Sequence, residues 1–342
     1  MDEGTLLVYP ELISKGFLPY RDFETFYGPA NVYLLAGCYS LFGCEVGVER
    51  AVAVLYRLAA VSAMFCLLRR SGLIVAAGGA LLSGFMLVPL ELTASAWLGG
   101  VVCALWSLAA GFSLALRWRA SLAGVFAAGA LLFRPDLGPA VFLSAVPLLL
   151  TFSERERWRW GVAFAVGLTP LVVLAIAVGP AELWNSFLVY PATVTSPGRR
   201  LPFSFVEAWL VRLLMLHVIV SLFNLTAGAR AAWTDRARWG TQPQSVTLLA
   251  ASLLGFGMTH QLLQRLDIAH FLRRGFRRCG NCSRVGCGLD AASGKPCCSE
   301  PGGPCGGSSA GLSFGHKPGA FKCHAYGAGA GFGYRAFGGA DC

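Results

Sequence analysis

Five small groups of residues in this chain are equipped for chemistry. Asp2 and Glu3 form an acidic pair, and Tyr20, Arg21 and Asp22 sit inside the turn-rich run GFLPYRDF at 16–23. Arg134-Pro135-Asp136 joins two apolar stretches. It reads either as a tight turn capped by Asp136 or as a charged rim of a polar cavity. Arg199 and Arg200 stand together in SPGRRLPF, where two adjacent guanidinium forks suit an anionic partner such as a lipid phosphate. A solvated loop turn is the alternative there. Arg265, Asp267 and His270 crowd the string QRLDIAH at 264–270, a density of polar groups that fits the rim of a cavity. His217, by contrast, lies inside LLMLHVIV and reads as a packing histidine of a helix bundle.

Elements able to position these groups must be apolar ones. Of 342 residues, 55% are hydrophobic and 13% charged, and mean hydropathy is +0.59. Too little charge remains to wet the surface of a soluble domain, so the chain reads as a polytopic membrane protein. The net charge of +10 is mostly arginine lying between apolar runs, with Lys15 the only lysine before residue 295. That is the distribution of loops obeying the positive-inside rule, and it argues against nucleic acid as a partner.

Along the chain, Leu6, Leu7, Tyr9, Leu12 and Ile13 recur at helical spacing and predict an amphipathic helix at an interface, the alternative being a polar loop. Residues 31–42 are apolar but too short to span, and Gly43 ends them, which predicts a second interfacial or re-entrant helix. Eight candidate spans follow at about 51–68, 73–91, 95–116, 120–133, 138–152, 161–179, 207–227 and 245–263. The pair 120–133 and 138–152 is short, and fits a re-entrant hairpin as well as two crossings. The expected organisation is an extracytoplasmic segment at 1–47, an all-α transmembrane bundle at 48–271 and a tail at 272–342.

Charge sorts the connections. Arg69-Arg70, Arg117-Trp118-Arg119, the run 154–160 and the stretch 230–239 fall on alternate turns of the chain and are expected on the cytoplasmic side. The opposite side then collects all five groups named above, with Glu91 and the loop 180–206. Beyond Leu272 the sequence is rich in Gly, Arg and Cys and has no apolar period. The tail is expected to be disordered and resembles out-of-frame translation of a GC-rich gene. Cys279 and Cys282 form its one CxxC unit, and the irregular spacing of Cys287, Cys297, Cys298, Cys305 and Cys323 argues against zinc.

Taken together, the acidic pair, the turn at 16–23, the Gly28-Pro29 step and Glu49-Arg50 opening the next span resemble the C-type glycosyltransferase superfamily. Its members include protein O-mannosyltransferases, lipid A aminoarabinose transferases and bacterial RgtA/B/C/D-like transferases. The Arg134-Pro135-Asp136 junction and the string at 264–270 are similar to segments of bacterial members, so the resemblance covers about 1–271. Family members carry a transmembrane helix before the acidic pair, where this sequence has Met1 alone. A late start is therefore expected, and activity of the chain as it stands is in question.

The resemblance implies a transferase moving a sugar from a polyprenyl-phosphate donor to a hydroxyl acceptor on the extracytoplasmic face of the cell membrane. It assigns Asp2 as the base, and Glu3 as the residue that orients the acceptor or helps bind a divalent metal ion. Arg199, Arg200 and Arg265 become the donor-phosphate residues. Tyr20, Arg21, Asp22, Arg134, Asp136, Asp267 and His270 become further cavity residues. Two other classes stay open: a transporter or flippase of a lipid-linked substrate, and a scaffold or inactive fragment. A transporter would carry ionisable groups at mid-membrane, where only Arg57, Arg212 and His217 lie, and would show paired repeats.

Overall fold

A computed structural model describes residues 3–25, 27–88, 92–114, 116–189, 193, 208–234 and 244–264. These residues form helices and turns, with no strand among them. Two short helices come first: α1 (Glu3–Ser14) and α2 (Pro29–Phe42). Then follow α3 (Val46–Leu68), α4 (Leu73–Leu87), α5 (Ala96–Phe112), α6 (Arg119–Phe133), α7 (Gly138–Thr151) and α8 (Glu154–Gly167). The last are α9 (Thr169–Val178), α10 (Pro180–Trp184), α11 (Ala208–Thr234) and α12 (Gln244–Gln264). The all-α class expected from the sequence holds, and each of the eight apolar stretches is helical.

Helix length departs from expectation. Three helical segments are long and apolar enough to cross a membrane: Val46–Ser71, Glu154–Val178 and Leu214–Thr234, of 26, 25 and 21 residues. The other five apolar helices, α4, α5, α6, α7 with its leading turn, and α12, fall short of that standard among the described residues. A 15-residue helix such as α4 or α6 is about 22 Å long, against a hydrocarbon core of about 30 Å.

Side-chain size is distributed unlike that of a soluble protein. The interior is built of small residues: Ala53, Ala63, Ala109, Ala123, Ala127, Ala130, Ala140 and Ala250 are essentially inaccessible. Many large aliphatic and aromatic residues point outward, with Ile74 89%, Ile176 78%, Leu81 75% and Phe85 69% exposed, although Phe112, Phe152, Leu35 and Leu148 are buried among the small ones. In water such an outer surface would be costly; against lipid tails it is neutral, and close helix packing supplies the cohesion. Gly124 lets the α8 backbone at Trp160 come so near α6 that a Cβ would lie 2.4 Å from its carbonyl oxygen. Gly257 of α12 meets Ala140 of α7 in the same way, at 2.6 Å.

These close approaches also give direction. Arg119 pairs with Glu156 at one end of α6 and α8, while Gly167 packs on Ala128 further along, so the two helices run parallel. Gln244 Nε2 donates to the Arg70 carbonyl at 3.0 Å. The start of α6 thus meets the start of α8, and the turn after α3 meets the start of α12.

α1 is a helix, as the spacing of its apolar residues predicts. Its Leu6 is buried against Leu35 and Tyr39 of α2, and the Tyr39 hydroxyl donates to the Leu6 carbonyl at 3.2 Å. Leu6 is thus spent on α2, while Val8 stays half exposed. Gly43, at φ +92, ends α2 in a conformation that other residues rarely adopt.

Candidate functional site

The turn at 18–23 is closed by its own side chains. Asp22 accepts from the Leu18 N–H at 2.7 Å and pairs with Arg21 at 2.9 Å. The Arg21 guanidinium and that N–H hold the exposed Asp22 carboxyl below its ordinary range. Tyr20 sits at φ +69, in the left-handed region that costs a non-glycine residue roughly 1–2 kcal/mol. Its ring compensates: it is buried with Leu174 of α9 and Leu183 of α10 and meets Phe187 edge-on at 5.7 Å. Burial pushes the Tyr20 phenol far above its ordinary range, and its hydroxyl donates to the Tyr27 carbonyl.

From Tyr27 the chain docks onto the end of α6. The Gly28 N–H donates to the Phe133 carbonyl at 3.0 Å, and a Cβ on Gly28 would lie 1.9 Å from the Leu132 carbonyl oxygen. Glycine at 28 is therefore a steric requirement. Arg134 follows at once, with its guanidinium 5.4 Å from the Tyr27 ring centroid and forked onto Asp136 through Nε, at 2.9 Å, and an Nη. The Pro135–Leu137 3-10 turn brings Asp136 back under Arg134. The junction is a tight turn, as one of its two readings had it, but Asp136 caps no helix and is paired with Arg134 instead.

Beneath the docked segment lies a buried polar network that the sequence reading passed over. Asn31 of α2, 1% exposed, donates to the Ala94 carbonyl at 2.9 Å and accepts from the Tyr56 hydroxyl at 2.9 Å. Glu49 of α3, also 1% exposed, accepts from the Ala94 N–H. Glu49 and Tyr56 are seven residues apart, hence on one face of α3, and that spacing is the signal that could have found them. Asn31 also lines a small cleft between α1 and α2 with Thr5, Tyr9, Thr25 and Tyr27, otherwise walled by Leu6, Val32 and Leu35. Thr25 is 3% exposed and its hydroxyl has no partner among the described residues. The cleft has room for about one water molecule.

Of the sequence candidates, Tyr20 and Arg134 meet at Tyr27 and Asp136 pairs with Arg134, while Arg21 and Asp22 pair with each other; none of the five lines that cleft. Glu3 opens α1. Asp2, Arg199, Arg200, Arg265, Asp267 and His270 lie outside the described residues, as do 271–342. No group of three or more His, Cys, Asp or Glu residues able to hold a metal occurs among the described residues.

No family model matches this chain, and neither a curated protein nor a solved structure does. The functional reading therefore stands on the residues and their arrangement.

Proposed function

We propose that the chain is an integral-membrane glycosyltransferase of the C type. It moves a sugar from a polyprenyl-phosphate donor to a hydroxyl acceptor at the extracytoplasmic membrane surface. In this reading the eight apolar helices all cross the membrane, the shorter ones by local thinning of the bilayer. The observation that carries it is the docking of the segment behind the acidic pair. Tyr20 packs on α9 and α10, and Tyr27 and Gly28 meet Phe133 and Arg134, so separate parts of the chain with polar candidates converge on one end of the bundle.

The chemistry follows from the groups assigned there. An acceptor hydroxyl is a weak nucleophile, so Asp2 takes its proton as the hydroxyl oxygen bonds to the anomeric carbon. The bond from that carbon to the phosphate oxygen breaks, and polyprenyl phosphate leaves with the electron pair. Attack from the face opposite the phosphate inverts the anomeric centre. Negative charge grows on the departing phosphate, and Arg199, Arg200 and Arg265 are the forks to receive it. Arg134 is not among them, because its guanidinium is already engaged by Asp136. Glu3 orients the acceptor or helps to hold a divalent metal ion. A lipid donor also accounts for the setting, since its prenyl chain rests between helices while transfer happens at the surface.

The decisive measurement is sugar transfer by membranes containing the Asp2→Asn variant. Turnover should fall about 10²-fold or more with protein level unchanged. Near-normal transfer by that variant removes Asp2 from the mechanism.

A further inference from the structure

At the arginine-rich end of the bundle, the turn before α6 and the start of α8 carry five arginines against two glutamates within 117–119 and 154–160. Two of the five are spent inside the protein. Arg119 pairs with Glu156 at 2.9 Å, and Arg157 Nε donates to the carbonyls of Leu149 and Phe152 at the end of α7. Arg117, Arg155 and Arg159 have no acidic partner among the described residues. Arg159 donates to the Arg117 carbonyl at 3.4 Å, which ties the turn to α8. Each of these two arginines adjoins a tryptophan in sequence, and both rings are turned out: Trp118 is 61% and Trp158 74% exposed.

Such a pairing has a specific chemical meaning. Guanidinium forks match the oxygens of a phosphodiester, and indole rings favour the boundary between headgroups and acyl chains. The α8 N-terminus does not supply the anion site, because Ser153 and Glu156 already cap it. The side chains do. We propose that Arg117, Arg159, Trp118 and Trp158 form a docking surface for the headgroup of an anionic phospholipid. The phosphate sits on the two guanidinium groups and the indoles lie beside the acyl chains. This proposal needs the chain to be in a membrane and is independent of sugar transfer.

The test is titration of the detergent-solubilised full chain with short-chain phosphatidylglycerol, with bound lipid counted by native mass spectrometry. Phosphatidylglycerol should bind in preference to phosphatidylcholine, and the pair Arg117→Gln/Arg159→Gln should weaken it about tenfold. The pair Arg69→Gln/Arg70→Gln removes equal charge from exposed arginines at the same end and should leave affinity within about twofold. Equal losses from the two pairs would reduce the effect to net charge and overturn the proposal. So would full competition by soluble glycerol phosphate, which would mark a phosphate site rather than a lipid one. Should the double variant fail to fold, Arg117→Gln alone decides the matter, because this side chain is exposed and its guanidinium lies over the neighbouring Trp118 ring. Unchanged phosphatidylglycerol binding by that variant overturns the assignment.

Discussion

Gly28 and Asn31, three residues apart, do different work at the same junction. Gly28→Ala drives a methyl group into the Leu132 carbonyl, part of a helix backbone that cannot yield cheaply. The variant should lose about 3 kcal/mol or more of stability, read as a lowered unfolding midpoint in detergent. Gly37→Ala, on the same helix with open space around it, should be neutral or slightly stabilising. Asn31 is exchangeable in shape but not in hydrogen bonding. Asn31→Leu strands both the Tyr56 hydroxyl and the Ala94 carbonyl, each at about 1–3 kcal/mol. Tyr56→Phe removes only one partner. Because the two side chains bond each other, the double variant should lose less than the sum of the single ones. Strict additivity would show that the bond contributes nothing.

At the scale of helices, packing is governed by which residues are small. α6 and α8 approach through Gly124 and Gly167, and α7 and α12 through Ala140 and Gly257. This lets polar connections gather at two ends while the apolar lengths between them stay in contact. Cysteines introduced one at a time into a cysteine-free background should report the sorting. At Arg119 and Ser153 they should react only with reagent added from the cytoplasmic side, and at Ser196 only from the other side. Labelling of all three from one side would separate the acidic pair from its proposed phosphate-binding arginines and undo the transferase reading. Arg119 and Ser153 do lie close in the fold, since both contact Glu156, so those two must at least agree with each other.

For the whole molecule, the outward Ile74, Leu81, Phe85 and Ile176 side chains set the solvent it needs. Moving each such side chain from water into lipid gains about 1.5–3 kcal/mol, so together they favour the bilayer over water strongly. The protein should stay with the membrane through alkaline carbonate extraction and come away only with detergent. Release by carbonate alone would contradict any arrangement in which its helices cross the bilayer.

How much of this was legible in the amino-acid order depends on what each feature rests on. Composition and apolar run length pointed to the all-α class and to the eight apolar stretches, because a long apolar stretch in lipid must satisfy its backbone hydrogen bonds internally. The polar start of α8 and the short α10 fell in segments read as connections. Arginine spacing grouped several connections on one side, and within that group the structure joins Arg119 to Glu156. Tyr20, Arg21 and Asp22 could be singled out from their turn-rich neighbourhood. Only the tertiary structure decided what they do: Tyr20 became a buried anchor, while Arg21 and Asp22 spend their charges on each other. In the network of Asn31, Glu49, Tyr56 and the Ala94 backbone, only the seven-residue spacing of Glu49 and Tyr56 on α3 is visible in one dimension. The links to Asn31 on α2 and to the segment before α5 have no local period. Helix periodicity records which face of a helix is apolar, but a hydrogen bond between helices exists only after packing has chosen the partners.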